Sequence, residues 1–219
     1  MTARGKTASK RKLVLGVGLN DLDFPTQRLP YVDESGVYHK KWTHPIYKYW
    51  KNVLSRSNCP SYHEKFPAYA DVQVVDEWKK LSNFFSWAEE RDYNSGKVLD
   101  KDILGDGKLY SPETCCFIDP RVNNFLVGHA LKGTYLKGVS FEADSFKFKA
   151  TLSMLNRSKN LGRYSTEYEA HLVYAKAKLN YAIEIINEYK VEDYIATALI
   201  AKLQKKVDKA EILYQQSLI

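Results

Sequence analysis

Cysteine is scarce in this chain, and long apolar runs are absent. The 219 residues include only three cysteines, Cys59 and the adjacent pair Cys115 and Cys116. These positions do not make the disulfide framework of a small secreted domain, so we expect a reducing compartment such as the cytoplasm. No apolar stretch approaches the ~20 residues of a membrane-spanning helix, and no secretory signal is recognisable. We therefore expect no membrane partner.

Proline is missing from the second half of the sequence. All seven prolines lie at or before Pro120. Because proline interrupts helices, we expect the first half to be rich in loops and the second half to form long helices. With 44% hydrophobic and 13% aromatic residues, the composition is that of a folded protein with a core.

The formal net charge of the chain is +7. Nucleic acid is the commonest anionic partner of such a protein, although a basic protein without an anionic partner is an equal alternative on charge alone. Residues 1–39 are interpreted as a basic tail followed by a turn-rich segment. The tail could contact the phosphate backbone of a nucleic acid, or simply be a solubilising terminus.

The most informative stretch runs from residue 137 to residue 189. It contains three short strand-like segments and then a long segment without proline. In the second segment, Phe146, Phe148, Ala150 and Leu152 alternate with polar residues, which is typical of a strand with one buried face. In the long segment, an apolar stripe at helical spacing consists of Tyr168, Leu172, Ala175, Leu179, Ile183 and Ile186. These patterns predict a three-stranded antiparallel sheet with a helix on its apolar face.

The other face of this predicted sheet is polar and would be left uncovered. Its residues are Lys137, Ser140, Lys147, Lys149, Thr151, Ser153 and Asn160. Side chains of these types donate hydrogen bonds to phosphates and to base edges. The uncovered face is therefore predicted to bind double-stranded DNA.

Five short motifs follow one another in the same stretch. They are Gly138-Val139, Lys147-Phe148-Lys149-Ala150, Leu161-Gly162-Arg163-Tyr164, Thr166-Glu167-Tyr168-Glu169-Ala170 and Tyr174-Ala175-Lys176-Ala177. This order resembles the ethylene-response-factor type DNA-binding domain. The resemblance implies that the sheet lies in the major groove and that the seven polar residues face the DNA. Plant members carry Arg and Trp at several of these positions, so a different and weaker base preference is expected here.

A second set of motifs lies upstream. The segment from Tyr47 to Arg56 is similar to segments of phage HNH-like proteins, and the region from Leu99 to Leu126 predicts a hairpin with a glycine-rich turn followed by a helix. This order resembles the ββα unit of HNH nucleases, which we place at residues 40–128. The resemblance implies that Asp100 and Asn123 hold Mg²⁺ and that Lys101 occupies the place of the histidine base.

Lys101 conflicts with an active nuclease, because an ammonium group has no lone pair with which to deprotonate water. In one interpretation the nuclease site is degenerate, no metal is bound, and the chain is a phage-type DNA-binding protein. In the alternative, Lys101 has a lowered pKa or a histidine comes from elsewhere, and the chain is a Mg²⁺-dependent homing-type endonuclease or nickase. The first interpretation is favoured, because the missing lone pair is a specific chemical defect.

The expected fold class is α+β, with the degenerate HNH-like unit followed by a DNA-binding unit at 136–189 and a helical tail at 190–219. The tail predicts one or two amphipathic helices that pack on the preceding unit or form a homodimer. A third functional class is a phage interaction protein that binds a host or defence protein. His39, His44, Cys59 and His63 lack a standard zinc-finger spacing, so zinc is a minor alternative.

Overall fold

The computed structural model describes residues 12–91, 93, 96–127 and 134–219. Within these residues the chain forms an α+β fold with several two-stranded sheets and one three-stranded antiparallel sheet. The predicted fold class is confirmed at this level. The basic N-terminal positions up to residue 11 lie outside the described residues, so the prediction that they contact phosphates stays a prediction.

The strands are, in chain order, β1 (Gln27–Arg28), β2 (Tyr31–Val32), β3 (Tyr38–His39), β4 (Trp42–Thr43), β5 (Gln73–Val74), β6 (Val98–Asp100), β7 (Leu109–Tyr110), β8 (Cys116–Ile118), β9 (Val139–Glu142), β10 (Lys147–Ser153) and β11 (Ser158–Tyr164). The α-helices are α1 (Pro45–Asn58), α2 (Pro60–Lys65), α3 (Leu81–Glu89), α4 (Pro120–Val127), α5 (Glu167–Glu188) and α6 (Asp193–Gln216). Two short 3-10 helices span Pro67–Tyr69 and Asp76–Lys79.

The chain divides into two compact units. The first comprises Met1–Ser95 and Gly105–Phe117, and the second comprises Gly96–Leu104 and Ile118–Ile219. These boundaries differ from those predicted from the sequence. Residues 40–128 are divided between the two units, whereas 136–189 and 190–219 belong to the same unit.

The core of the first unit is aromatic. Trp50, Trp78 and Trp87 are all buried. The indole N–H of Trp50 donates to the carbonyl of Trp78 at 2.6 Å, and the rings of Trp78 and Trp87 lie 4.6 Å apart. Helix α1 begins at Pro45, and its N-cap is His44: the Nδ1 atom of His44 accepts from the Ile46 N–H at 3.3 Å.

The hairpin predicted within residues 99–117 is confirmed only in part: β6 and β8, which flank the glycine segment, form a two-stranded sheet and α4 follows, but Leu109 and Tyr110 of β7 pair elsewhere. Strand β7 pairs in parallel with β5, so that Gln73 aligns with Leu109 and Val74 aligns with Tyr110. Parallel strands need a long crossover connection instead of a tight turn. The glycines that suggested a hairpin therefore belong to a loop that leads into a non-local pairing.

The second unit is built on the three-stranded sheet, in the order β11-β10-β9. Helix α5 packs on one face of this sheet, and α6 packs along α5. In β10, Ala150 and Leu152 are buried, as the alternation predicts. Phe146, assigned to the same buried row, is instead 81% exposed because it lies in the turn between β9 and β10, with a positive φ of 50°.

Helix α5 is buried on two sides, which corrects the predicted stripe. One cluster joins α5 to α6 and contains Leu172, Ala175, Leu179, Val207, Ala210 and Tyr214. The centre of the predicted stripe thus faces α6 instead of the sheet, and Tyr168 and Ile183 at its edges are exposed. On the side of the sheet, the ring of Tyr174 lies against Gly138, and the Tyr181 hydroxyl accepts from the Leu155 N–H at 3.4 Å.

The C-terminal helix α6 therefore packs on α5 of its own chain. Ile195, Leu199, Leu203 and Val207 of α6 are buried, whereas Tyr194 and Ile212 are exposed. Packing on the preceding unit is thus the alternative that the structure supports, and a homodimer through these helices stays a prediction. None of the helices in the described part of the chain combines the length and apolar character needed to cross a bilayer.

Candidate nucleic-acid interface

The sheet of the second unit has a polar face that α5 does not cover. Antiparallel pairing places Lys149 of β10 between Ser140 of β9 and Arg163 of β11. Lys147 lies opposite Glu142 on the same face. Directly opposed residues of paired strands project to the same side of a sheet, so these side chains form one continuous surface. Ser140, Lys147 and Arg163 are exposed, and Lys149 is half-buried.

Glu142 organises the cations of this surface. Its carboxylate is 3.1 Å from the Lys149 ammonium and 2.5 Å from the Arg163 Nε. The hydrogen bonds from Arg163 and then from Lys149 lower the pKa of Glu142, so the carboxylate is ionised over the whole neutral range. The surface therefore carries a three-residue ionic network, and Lys147 lies beside it.

Asn160 and Thr151 lie at the other end of the surface, where they oppose each other across a β-bulge. The Oδ1 atom of Asn160 accepts from the Gly162 N–H at 3.1 Å, and Gly162 has a positive φ of 122°. A glycine at a bulge relieves the steric cost of this conformation. The side-chain oxygen of Asn160 thus stabilises the bulge, and the residue is exposed.

Lys137 lies beside α5 and not at the centre of the polar face, which differs from the set of DNA-contacting residues predicted from the sequence. Its carbonyl accepts from the Nδ1 atom of His171 on α5 at 2.9 Å. Its side chain lines cavities together with Tyr174 and Lys178 of α5. Thr151 and Ser153 also border one of these cavities, so they lie at the edge of the polar face. The central surface consists of Ser140, Glu142, Lys147, Lys149, Asn160 and Arg163.

Asp100, the first predicted metal ligand, stabilises the turn that follows β6. It is only 5% exposed, and its Oδ1 atom accepts from the backbone N–H groups of Asp102 at 2.7 Å and Ile103 at 2.8 Å. Burial, followed by repulsion from the Asp102 carboxylate, raises the pKa of Asp100. A carboxylate engaged in this way is a structural cap of the turn.

The other two predicted nuclease residues have different environments. The buried side chain of Lys101 forms an ion pair with Asp102 at 2.9 Å. Asn123 lies on α4, and its buried Oδ1 atom finds no hydrogen-bond partner among the described residues. An orphaned amide oxygen is one feature of a site that lacks its ligand.

A metal ion fits these residues only in part. Within the described ranges, no group of three or more His, Cys, Asp or Glu side chains converges, and this holds for the predicted minor zinc set as well. The Nε2 atom of His63 is 2.8 Å from the carbonyl of Arg56, and the Nε2 atom of His39 is 2.7 Å from the Asp33 carboxylate. We derive no catalytic step through Mg²⁺, because Asp100 accepts hydrogen bonds within a turn and Lys101, in the place of the base, is paired with Asp102.

Sequence reasoning missed three residues that the structure makes prominent: Glu142, Arg163 and Lys178. Glu142 could have been found by alternation along its own strand, since it lies two residues from Ser140. Arg163 could not, because the β-bulge shifts the register between it and Asn160. Lys178 is only 6% exposed and gives no local signal, because a lysine on a helix is usually solvated. No protein-family model, no curated protein and no solved structure matches this chain.

Proposed function

We propose that the chain binds double-stranded DNA through the polar face of the sheet β9–β11. The observation that carries the proposal is the asymmetry of this sheet: α5 covers one face, and the other presents exposed Lys147, Arg163 and Ser140 together with half-buried Lys149. Lysine and arginine side chains neutralise phosphates, and hydroxyl and amide groups contact base edges. The net charge of +7 favours the same class of partner.

The Glu142 network supports a specific manner of binding. In the absence of a ligand, the carboxylate of Glu142 pairs with Lys149 and Arg163 and holds both cations on the surface. A phosphate that approaches this surface must compete with that carboxylate. Binding is therefore expected to be weaker than the number of cations suggests, and to depend steeply on salt.

The test is a titration of a short duplex by fluorescence anisotropy at several salt concentrations. Replacing both Lys147 and Lys149 with alanine removes two phosphate contacts, so the affinity should fall and the slope of log K against log salt should decrease by about 2. The matched control replaces Lys176 and Lys205, which are exposed lysines of α5 and α6. It removes the same charge and should leave the slope nearly unchanged.

Glu142→Gln gives an opposite and independent result. The substitution frees Lys149 and Arg163 from their carboxylate, so the affinity for DNA should rise and the salt slope should become steeper. Glu211→Gln is its control, because Glu211 pairs with Lys176 at 3.3 Å away from the sheet. Equal slopes for the wild type and the Lys147 and Lys149 double variant would refute this docking surface.

A further inference from the structure

A cleft of about 460 Å³ lies beside the sheet in the second unit, between α4, α5 and the end of β10. It is lined by polar groups of Thr151, Ser153 and Asn124 and by the rings of Phe125 and Tyr174. A neighbouring cavity of about 330 Å³ lies between α5 and α6. The two cavities share Lys137, Tyr174 and Lys178, and their sizes are within the range of small-ligand sites.

The charge of these cavities is one-sided. Arg121, Lys137 and Lys178 line the cleft, and Lys206 and Lys209 line the neighbouring cavity. Among the residues that the structure describes, no aspartate or glutamate lines either cavity. A cavity whose described lining contains several cations and no acidic side chain has the electrostatic arrangement of an anion site.

Lys178 is the buried centre of the cluster. The pKa of Lys178 is lowered to about 8, mainly because the side chain is buried and further because Lys137 and Lys206 repel its charge. Its ammonium donates to the Leu126 carbonyl at 3.4 Å and lies 5.1 Å from the centre of the Phe125 ring. Leu126 is in the last turn of α4, where a cation is favourable. The Lys178 ammonium is therefore held close to two other cations.

The residues that line the cleft indicate which class of anion it could bind. Phosphate is held in proteins by lysine and by hydroxyl and amide donors. Flat rings such as those of Phe125 and Tyr174 stack on nucleobases, and the amides of Asn124 and Asn156 can pair with base edges. We propose that the cleft binds a nucleoside monophosphate, with the phosphate between Lys137 and Lys178 and the base beside Phe125 and Tyr174.

The proposal is tested on the full chain by isothermal titration with AMP, GMP, CMP and UMP. At least one of them should bind with a stoichiometry of one per chain, and the matching nucleoside and inorganic phosphate alone should each bind at least about tenfold more weakly. Saturation by decanoate in preference to every nucleotide would instead identify a site for an apolar carboxylate and would overturn the proposal. Failure of all four nucleotides to bind at millimolar concentration would also overturn it.

Two variants locate the site. Lys178→Met should weaken binding at least about tenfold, and Lys178→Arg, which keeps the charge, should retain most of it. Lys137→Ala, at an exposed position, gives a second measurement if Lys178→Met does not fold. Lys176→Met, on the exposed side of α5, is the control and should bind like the wild type. Unchanged affinity in both Lys178→Met and Lys137→Ala would refute the assignment.

The pH dependence provides a separate criterion. A bound phosphate favours the protonated form of Lys178, so binding near pH 8 should take up a proton, and affinity should fall as the pH rises above about 8. The charged groups that face Lys178 are Lys137 and Lys206, with Arg121, Lys209 and His171 also lining the two cavities. This inference does not rest on DNA binding by the sheet, and loss of either activity leaves the other measurable.

Discussion

Replacing Lys178 with methionine should stabilise the second unit. The pKa of Lys178 falls from 10.5 to about 8 on folding, chiefly because the ammonium is buried. One pKa unit corresponds to about 1.4 kcal/mol, so the buried charge destabilises the folded state by about 3 kcal/mol. Methionine removes that cost but also loses the hydrogen bond to Leu126, worth about 1 kcal/mol, and a cation–π contact worth about 0.5–1 kcal/mol. The free energy of unfolding should therefore rise by about 1–2 kcal/mol at neutral pH.

The pH dependence of this effect has a definite sign. Between the folded pKa of about 8 and the unfolded value of 10.5, the unfolded chain binds more protons at this lysine than the folded chain does. The stability of the wild type therefore rises with pH in this interval, because the folded ammonium is neutralised first. The advantage of Lys178→Met should be complete below about pH 8 and should disappear by about pH 10.5.

The two units can be followed separately by urea denaturation. All four tryptophans, Trp42, Trp50, Trp78 and Trp87, belong to the first unit, so their fluorescence reports that unit alone. Far-ultraviolet circular dichroism is dominated by the long helices α5 and α6 of the second unit. Lys178→Met should shift the circular dichroism transition and leave the tryptophan transition unchanged, and Lys176→Met should shift neither by more than about 0.5 kcal/mol. A variant less stable than the wild type at neutral pH would mean that the contact with Leu126 outweighs the burial of charge, and would refute the reasoning.

Two further substitutions test the packing of the second unit by circular dichroism. Gly138→Ala should destabilise this unit by about 2 kcal/mol or more, because φ is +84° and the new Cβ would lie 2.1 Å from the Tyr174 ring. The control is Gly96→Ala: φ is a similar +74°, but no atom lies within 4 Å of the new Cβ, so the cost should be only about 1 kcal/mol. Equal losses of stability in the two variants would exclude the clash with Tyr174 as the cause. Thr166→Ala removes the N-cap of α5, whose hydroxyl accepts from the Glu169 N–H at 3.1 Å, and should cost about 1 kcal/mol; a loss of the same size in Thr166→Ser would contradict a capping role.

The three strands and the helix of the second unit could be predicted because their signals are local. Ala150 and Leu152 alternate with polar neighbours, and the apolar residues of α5 recur at helical spacing, so each pattern defines its element without knowledge of its partner. The partner of each buried face could not be predicted in this way. Leu172 and Ala175 face α6 instead of the sheet. A helix packed between two layers has two buried sides, and the spacing of its apolar residues does not show which side contacts which layer.

The hairpin prediction was correct only in part, for a related reason: β6 and β8 form a two-stranded sheet, but β7 pairs with β5. The segment from residue 99 to residue 110 has the glycines of a turn, but the partner of Leu109 is Gln73, which precedes it in a different part of the chain. Turn composition marks where a chain reverses and does not specify which strands then pair. The polar sheet face was recoverable by alternation, whereas the burial of Lys178 depends on α4, α5 and neighbouring lysines that only the tertiary structure brings together.

The segments of the two units alternate along the chain, which limits how the units can be separated as fragments. Gly96–Leu104 belongs to the second unit but precedes Gly105–Phe117 of the first, so the chain passes between the units three times. A single proteolytic cut cannot release either unit whole. A C-terminal fragment starting at Ile118 would lack β6, which packs on α4, and would leave Asn123 and its helix without their native neighbour. A gene fusion at any one point would likewise divide a unit instead of transferring it, so both units have to be expressed together as one chain.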